Sequence, residues 1–214
     1  PETLHKENRH PFSLARIFLA VSEIFCIRAS IGYTLMSGLM FSAFFGYLSS
    51  AQQVFQVTYQ LGELFPLYFA ILASGLGLAS YFNSKLVHKF GMRRLCKTAL
   101  VSISGLTIVF VCLVYAMSGI PPFYLFMFFM VPTFFCFGIL VSNFVTLAME
   151  PLAHIAGVGA SVVGSISSLV AVPLGAIIGQ QFDGTVLPLI SGFAVFSIIT
   201  LMLMYWVERS IIPS

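Results

Sequence analysis

The 214-residue chain is 59% hydrophobic and only 8% charged. A water-soluble domain carries about 25% charged residues, so that class is excluded. The net charge of +3 says little by itself, and a nucleic-acid partner is not expected, because the basic residues serve topology and none lies beside an exposed aromatic stacking platform.

The position of the charge is more informative than its sum. Lys6, Arg9, Arg16 and Arg28 lie at the start, Lys85, Lys89, Arg93, Arg94 and Lys97 in the centre, and Arg209 at the end. Residues 29–84 and 98–208 hold no Lys or Arg. A cation at the centre of a bilayer costs about 2.5–3.5 kcal/mol even on the gentlest scale, so the clusters mark chain outside the lipid. Short basic loops stay on the cytoplasmic side. Two spans then fit the first gap and four fit the second. The expected fold is all-α, with six transmembrane helices and both ends inside.

In chain order, residues 1–28 read as a cytoplasmic linker ending in an amphipathic surface helix. Phe12, Ala15, Phe18, Leu19, Phe25 and Cys26 share one face there, while Arg16, Glu23 and Arg28 prevent a continuous span. Residues 29–207 are the membrane domain and 208–214 a cytoplasmic tail. Each span is near the ~20 residues that cross about 30 Å of hydrocarbon. The first is expected at 29–52, closed by the polar Gln52-Gln53. The second is expected at 64–84, with Pro66 in its first turn, where a missing N–H is harmless. A basic inner loop occupies 85–97. The third span covers 98–118, and Gly119-Ile120-Pro121-Pro122 forms an outer turn. The fourth covers 123–149 and is followed by an inner turn with Glu150, Pro151 and His154. The fifth covers 157–180, Asp183-Gly184-Thr185 turns outside, and the sixth covers 187–207.

The fifth span is rich in small residues. Ala171, Gly175 and Gly179 recur every four positions and form one face that lets another backbone approach closely. This span is expected to be central, wedged between its neighbours and kinked at Pro173. The four cysteines have no zinc-ligand spacing, and none falls in an expected outer loop. No metal or cofactor is therefore expected. No HExxH motif, paired intramembrane Asp or Ser-His pair suggests an enzyme. The opening Pro1-Glu2-Thr3, without an initiating Met, reads as the middle of a longer polypeptide.

Two motifs carry a resemblance. Residues Asn83 to Leu95 include Lys89-Phe90-Gly91-Met92-Arg93-Arg94, which resembles the D-R-x-G-R-R inner-loop signature of the major facilitator superfamily. His88 stands where Asp is usual, and Lys89 where Arg is usual. The stretch from Ala148 to Gly157, with Ala160-Ser161 and Gly164-Ser165, is similar to the junction of the tenth and eleventh spans in one branch. That branch is the bicyclomycin-resistance type of twelve-span drug:proton antiporter. The Pro1-Glu2-Thr3-Leu4 opening resembles the branch's central linker, while Gln52-Gln53 replaces a usual Pro-Phe pair. The resemblance covers essentially the whole chain and maps it onto spans seven to twelve, one half of the superfamily fold.

It implies an alternating-access carrier in a bacterial inner membrane. The partners implied are membrane lipid, an N-terminal six-helix half, a small-molecule substrate and protons. It places the first, second, fourth and fifth spans around a cavity, which makes Tyr47, Gln52, Tyr68, Phe134 and Asn143 candidates for substrate contact. It implies a cytoplasmic gate of Lys89, Gly91, Arg93, Arg94 and Glu150, with Glu150 accepting from Arg93 or Arg94 in a partly buried pair. No carboxylate lies within a span, so proton coupling would reside in the other half. A non-transporting scaffold subunit is the alternative.

Overall fold

The computed structural model describes residues 14–209, and the expectations for Lys6, Arg9, Phe12 and the far C-terminal tail lie outside them. Among the described residues the chain is helical and has no strand. Helix α1 is Leu14–Cys26, α2 Arg28–Gln53, α3 Phe65–Phe90, α4 Met92–Ala116, α5 Phe123–Met149, α6 Ala156–Gln180 and α7 Leu187–Glu208. Five helical stretches are long and apolar enough to cross a membrane, and the longest, 123–180, contains both α5 and α6. A 3-10 segment, Glu150–Ile155, separates the two, with Leu152 outside helical backbone angles. The six expected spans are therefore α2 to α7.

The boundaries follow local chemistry. Pro66 and Pro188 sit in the first turns of α3 and α7, where a proline removes no helical bond. Pro122 precedes α5 in extended backbone. Helix α2 ends in a π-helical turn, Val54–Thr58. The basic run is not a loop. Helix α3 continues through Lys85, His88 and Lys89 to Phe90, and α4 begins at Met92. The single joint is Gly91, whose φ of 77° only glycine adopts without strain. Charge had marked the membrane edge, but a helix leaving lipid has no reason to stop there. Arg28 likewise starts α2 instead of ending the surface helix.

The packing partners define the architecture. Helices α3, α5, α2 and α6 lie in a row, with α4 against α5 and α7, and α7 against α2 and α4. The hub is α2, which touches α5, α6 and α7. This corrects the expectation for the fifth span. Helix α6 packs chiefly on α2 and leaves its opposite face open, at residues including Ala160, Ser161, Gly164, Ser165 and Ser168. Both α5 and α6 continue unbroken through Pro132 and Pro173.

Close approach of α2 and α6 needs small residues on both. A Cβ on Gly175 would lie 2.5 Å from Phe45 Cβ and 2.9 Å from Ser42 O. One on Gly179 would lie 2.5 Å from Ser49 Cβ, and one on Gly46 2.9 Å from Ile178 Cβ. The face formed by Ala171, Gly175 and Gly179 thus meets Gly38, Ser42 and Gly46, which have the same four-residue spacing. Hydroxyls add bonds across this seam. Ser167 Oγ donates to Thr34 O at 3.1 Å, and Ser42 Oγ lies 3.4 Å from Val170 O.

Helix α1 keeps an apolar surface uncovered. Phe18, Leu19 and Phe25 are exposed, Phe18 by 74%, while Ile24 is buried and α1 contacts α6. Such a face suits the boundary between headgroups and acyl chains.

Candidate functional site

The two ends of the bundle are built differently. At one end lie the described basic residues. Arg28 donates to Trp206 O and stacks over the Trp206 ring. Lys97 sits over Tyr205, 4.9 Å from the ring centroid, and Lys85 donates to Tyr81 Oη at 2.7 Å. Cations resting on aromatic rings are typical of a headgroup-level belt. Here too the 3-10 segment is tied to the surface helix, by His154 Nε2 at 3.0 Å from Glu23 Oε1.

Of the gate residues, Arg93 and Glu150 are brought together. Arg93 Nη2 donates to Glu150 Oε2 at 3.3 Å, joining the start of α4 to the segment after α5. Arg94 does not join them, and Lys89 lies over Phe90. The two side chains are only partly covered, 41% and 57% exposed, which leaves the pair open to water. Water screens such a pair, so its contribution is about 0–1 kcal/mol. Glu150→Gln should change the stability of this chain by less than about 1 kcal/mol, measured by thermal unfolding in detergent. A larger loss would mean that the carboxylate has a structural role beyond this bridge.

The opposite end is knitted by neutral groups. Thr58 Oγ1 donates to Gly184 O at 2.9 Å, Tyr59 Oη to Pro121 O at 3.0 Å, and Val186 N to Gly119 O at 3.1 Å. These bonds join all three connections at that end. Asp183 accepts from the hydroxyl and amide of Thr185, which hold its carboxyl below the usual carboxylate range. A cleft of about 350 Å³ opens beside these turns, between the ends of α2 and α6. Ser49, Gln53 and Gln180 supply its polar lining, with Gly179 and Phe182 beside them. Sequence reasoning had singled out Gln52, which is exposed next to this cleft, and missed Gln53 and Gln180. The doubled glutamines at 52–53 and 180–181 were the available signal.

The remaining cavity candidates lie deeper than expected. Tyr47 and Phe134 are each 1% exposed and Asn143 is 2%. Tyr47 and Phe134 pack edge to face at 4.8 Å, with Phe44 and Phe69 around Tyr47. This aromatic cluster fills the space between α2, α3 and α5, so neither ring presents surface to a ligand in this arrangement. The Tyr47 hydroxyl is nonetheless buried without a hydrogen-bond partner, an uncommon condition for an interior polar group. The Asn143 amide nitrogen is employed twice, donating to Asn83 Oδ1 at 2.6 Å and to Ile139 O at 2.8 Å. Its structural role is to tie α5 to α3. Tyr68 is half-buried, with its ring edge to face against Phe123 at 4.6 Å. The seven-helix arrangement thus brings Arg93 and Glu150 together and places Tyr47 beside Phe134. It leaves Gln52 exposed and Tyr68 half-buried against Phe123.

No family model, curated protein or solved structure matches this chain.

Proposed function

We propose that this chain is one six-helix half of an alternating-access carrier that exports small, largely apolar compounds from a bacterium. The observation that carries the reading is the pair of open faces at the two ends of the helix row. Helix α3 buries only Leu72, Gly75 and Ala79 and exposes Ala70, Ala73, Ser74, Gly77 and Ser80. Helix α6 exposes its own stripe of Gly, Ala and Ser on the side away from α2. A Cβ on Gly77, Gly157 or Gly164 would meet nothing within 4 Å. Between lipid-facing helices, small residues are used where another backbone comes close. Two such stripes, one on each end helix of the row, fit a second bundle that docks on both and encloses a cavity between.

In this reading the chain is a carrier half and not an enzyme. The substrate passes along α2 and α5, and the glutamine-lined cleft forms part of its outer vestibule. Protons enter through the partner half, since no carboxylate of this chain lies within a span. The inner ion pair of Arg93 and Glu150 closes the cytoplasmic side in one state and parts in the other.

The test is a Gly164→Leu substitution in a polypeptide that carries both halves. Efflux of a lipophilic cationic dye should fall at least about tenfold, because a leucine there separates the bundles. The same substitution in the 214-residue chain should leave thermal stability within about 0.5 kcal/mol. Unimpaired efflux would remove the docking argument, and absent efflux in the unmodified two-half protein would favour a scaffold subunit. In that protein an exchange of Arg93 and Glu150 should restore activity that either single reversal loses.

The same reading fixes orientation. The basic end faces the cytoplasm by the distribution of Lys and Arg, and Gln56 and Asp183 face out. An impermeant thiol reagent on intact cells should label Asp183→Cys and spare Lys89→Cys. The reverse pattern would invert the topology.

A further inference from the structure

We infer that the joint between α3 and α4 is a binding site for the phosphate headgroup of an anionic phospholipid. The site is a cleft of about 310 Å³ at the basic end. Its polar wall is Arg93, Arg94 and Glu150, and its apolar wall is Phe90, Met92 and Leu147. Such a combination suits a ligand with a charged head and a hydrocarbon beginning. A free anion would gain nothing from the apolar wall.

The charges favour a net anion. Glu150 neutralises Arg93 through the 3.3 Å ion pair, while Arg94, on the same wall, is exposed and forms no ion pair among the described residues. Lys89 sits over the Phe90 ring beside the same joint, 5.4 Å from its centroid. No side chain caps the start of α4 at Gly91, so the positive end of that helix dipole adds to the same place. The surrounding belt of cations on aromatic rings puts the cleft at the depth where headgroups lie. A zwitterionic headgroup brings its own cation and would gain less.

The bound phosphate and Glu150 compete for Arg93. Occupancy of the cleft therefore weakens the bridge between α4 and the 3-10 segment, and loss of the Glu150 charge strengthens lipid binding. The site does not depend on transport, and its test is a binding measurement.

The purified full chain in a neutral detergent is titrated with short-chain phosphatidylglycerol or with phosphatidylcholine of the same tails. Binding is read from the thermal shift and by native mass spectrometry. Phosphatidylglycerol should bind more tightly than phosphatidylcholine. Arg94→Gln should weaken it about fivefold, the effect of one cation near an anionic surface. Glu150→Gln should strengthen it, and Lys85→Gln, which removes a cation outside the cleft, should leave it within about twofold. Equal binding of the two lipids, or equal losses from Arg94→Gln and Lys85→Gln, would overturn the site in favour of general charge attraction. Inorganic phosphate reproducing the shift at the same concentration would overturn the lipid as its source.

Discussion

Gly175→Leu should prevent this chain from reaching its native packing. A Cβ alone would come within 2.9 Å of Ser42 O and 3.1 Å of Gly46 N. Those are backbone atoms of α2, so no rotamer change relieves the contact. The rest of a leucine side chain then has to push α2 and α6 apart along the whole seam. Overpacking a tight interior costs about 1–3 kcal/mol when side chains can adjust, and here they cannot, so the loss belongs at or above the top of that range. The separation would also break the hydroxyl bonds from Ser167 and Ser42 across the seam. Thermal unfolding in detergent, with yield of monodisperse protein as a second reading, measures the effect. Gly77→Leu adds the same volume where nothing lies within 4 Å and should change stability by no more than about 0.5 kcal/mol. Similar behaviour of the two variants would show that the α2–α6 approach is not what holds the bundle.

Asn143→Leu should detach the inner half of α3. Helix α3 is held chiefly by α5, and the Asn143–Asn83 bond, at 2.6 Å, is the side-chain hydrogen bond between them. Interhelical bonds in lipid average about 0.6 kcal/mol and reach about 1.7. The substitution also leaves the half-buried Asn83 carbonyl without its donor, which moves the expected cost toward about 1–2 kcal/mol. Asn83→Leu should cost less, because Asn143 keeps its bond to Ile139 O. The double variant should be less destabilised than the sum of the two singles by about 1 kcal/mol. Additive losses would show that the two amides act separately. Hydrogen exchange should locate the damage, with faster exchange in α3 and little change in α4 and α7.

Much of the fold was legible because membrane chemistry is restrictive. The limits of α5 matched their expectation at both ends, where Pro122 and the Glu150-Pro151 pair bound the apolar run. The small-residue face of α6 was legible too, but its partner was not read, although Gly38, Ser42 and Gly46 repeat at the same interval. A stripe announces that something comes close and does not say what. The burial of three of the cavity candidates was hidden for a related reason. In water, apolar periodicity marks the core, but in lipid the outside is as apolar as the inside. Tyr47 and Phe134 could not be told from surface aromatics until their neighbours were known. The ion pair of Arg93 and Glu150 was readable because so few charges were available to meet. The helical continuation through Lys85 and Lys89 was not, since charge tells where lipid ends and says nothing of where a helix does.

The hub position of α2 has a consequence for how the protein is made. The most apolar 18 residues of its stretch, 28–58, have a mean hydropathy of 1.3, against 2.2 or 2.3 for those of α4, the α5–α6 stretch and α7. The difference comes from residues that its neighbours cover, among them Ser30, Thr34, Ser37, Ser42 and Ser50. Those neighbours are α5, α6 and α7, all translated after it. During synthesis α2 must therefore wait in the bilayer with its hydroxyl face unmet, with only the bonds to its own preceding turn that Thr34, Ser42 and Ser50 make. The helix around which everything packs is thus the least willing to enter lipid alone. Its residence there is secured retroactively, when α6 arrives more than a hundred residues later.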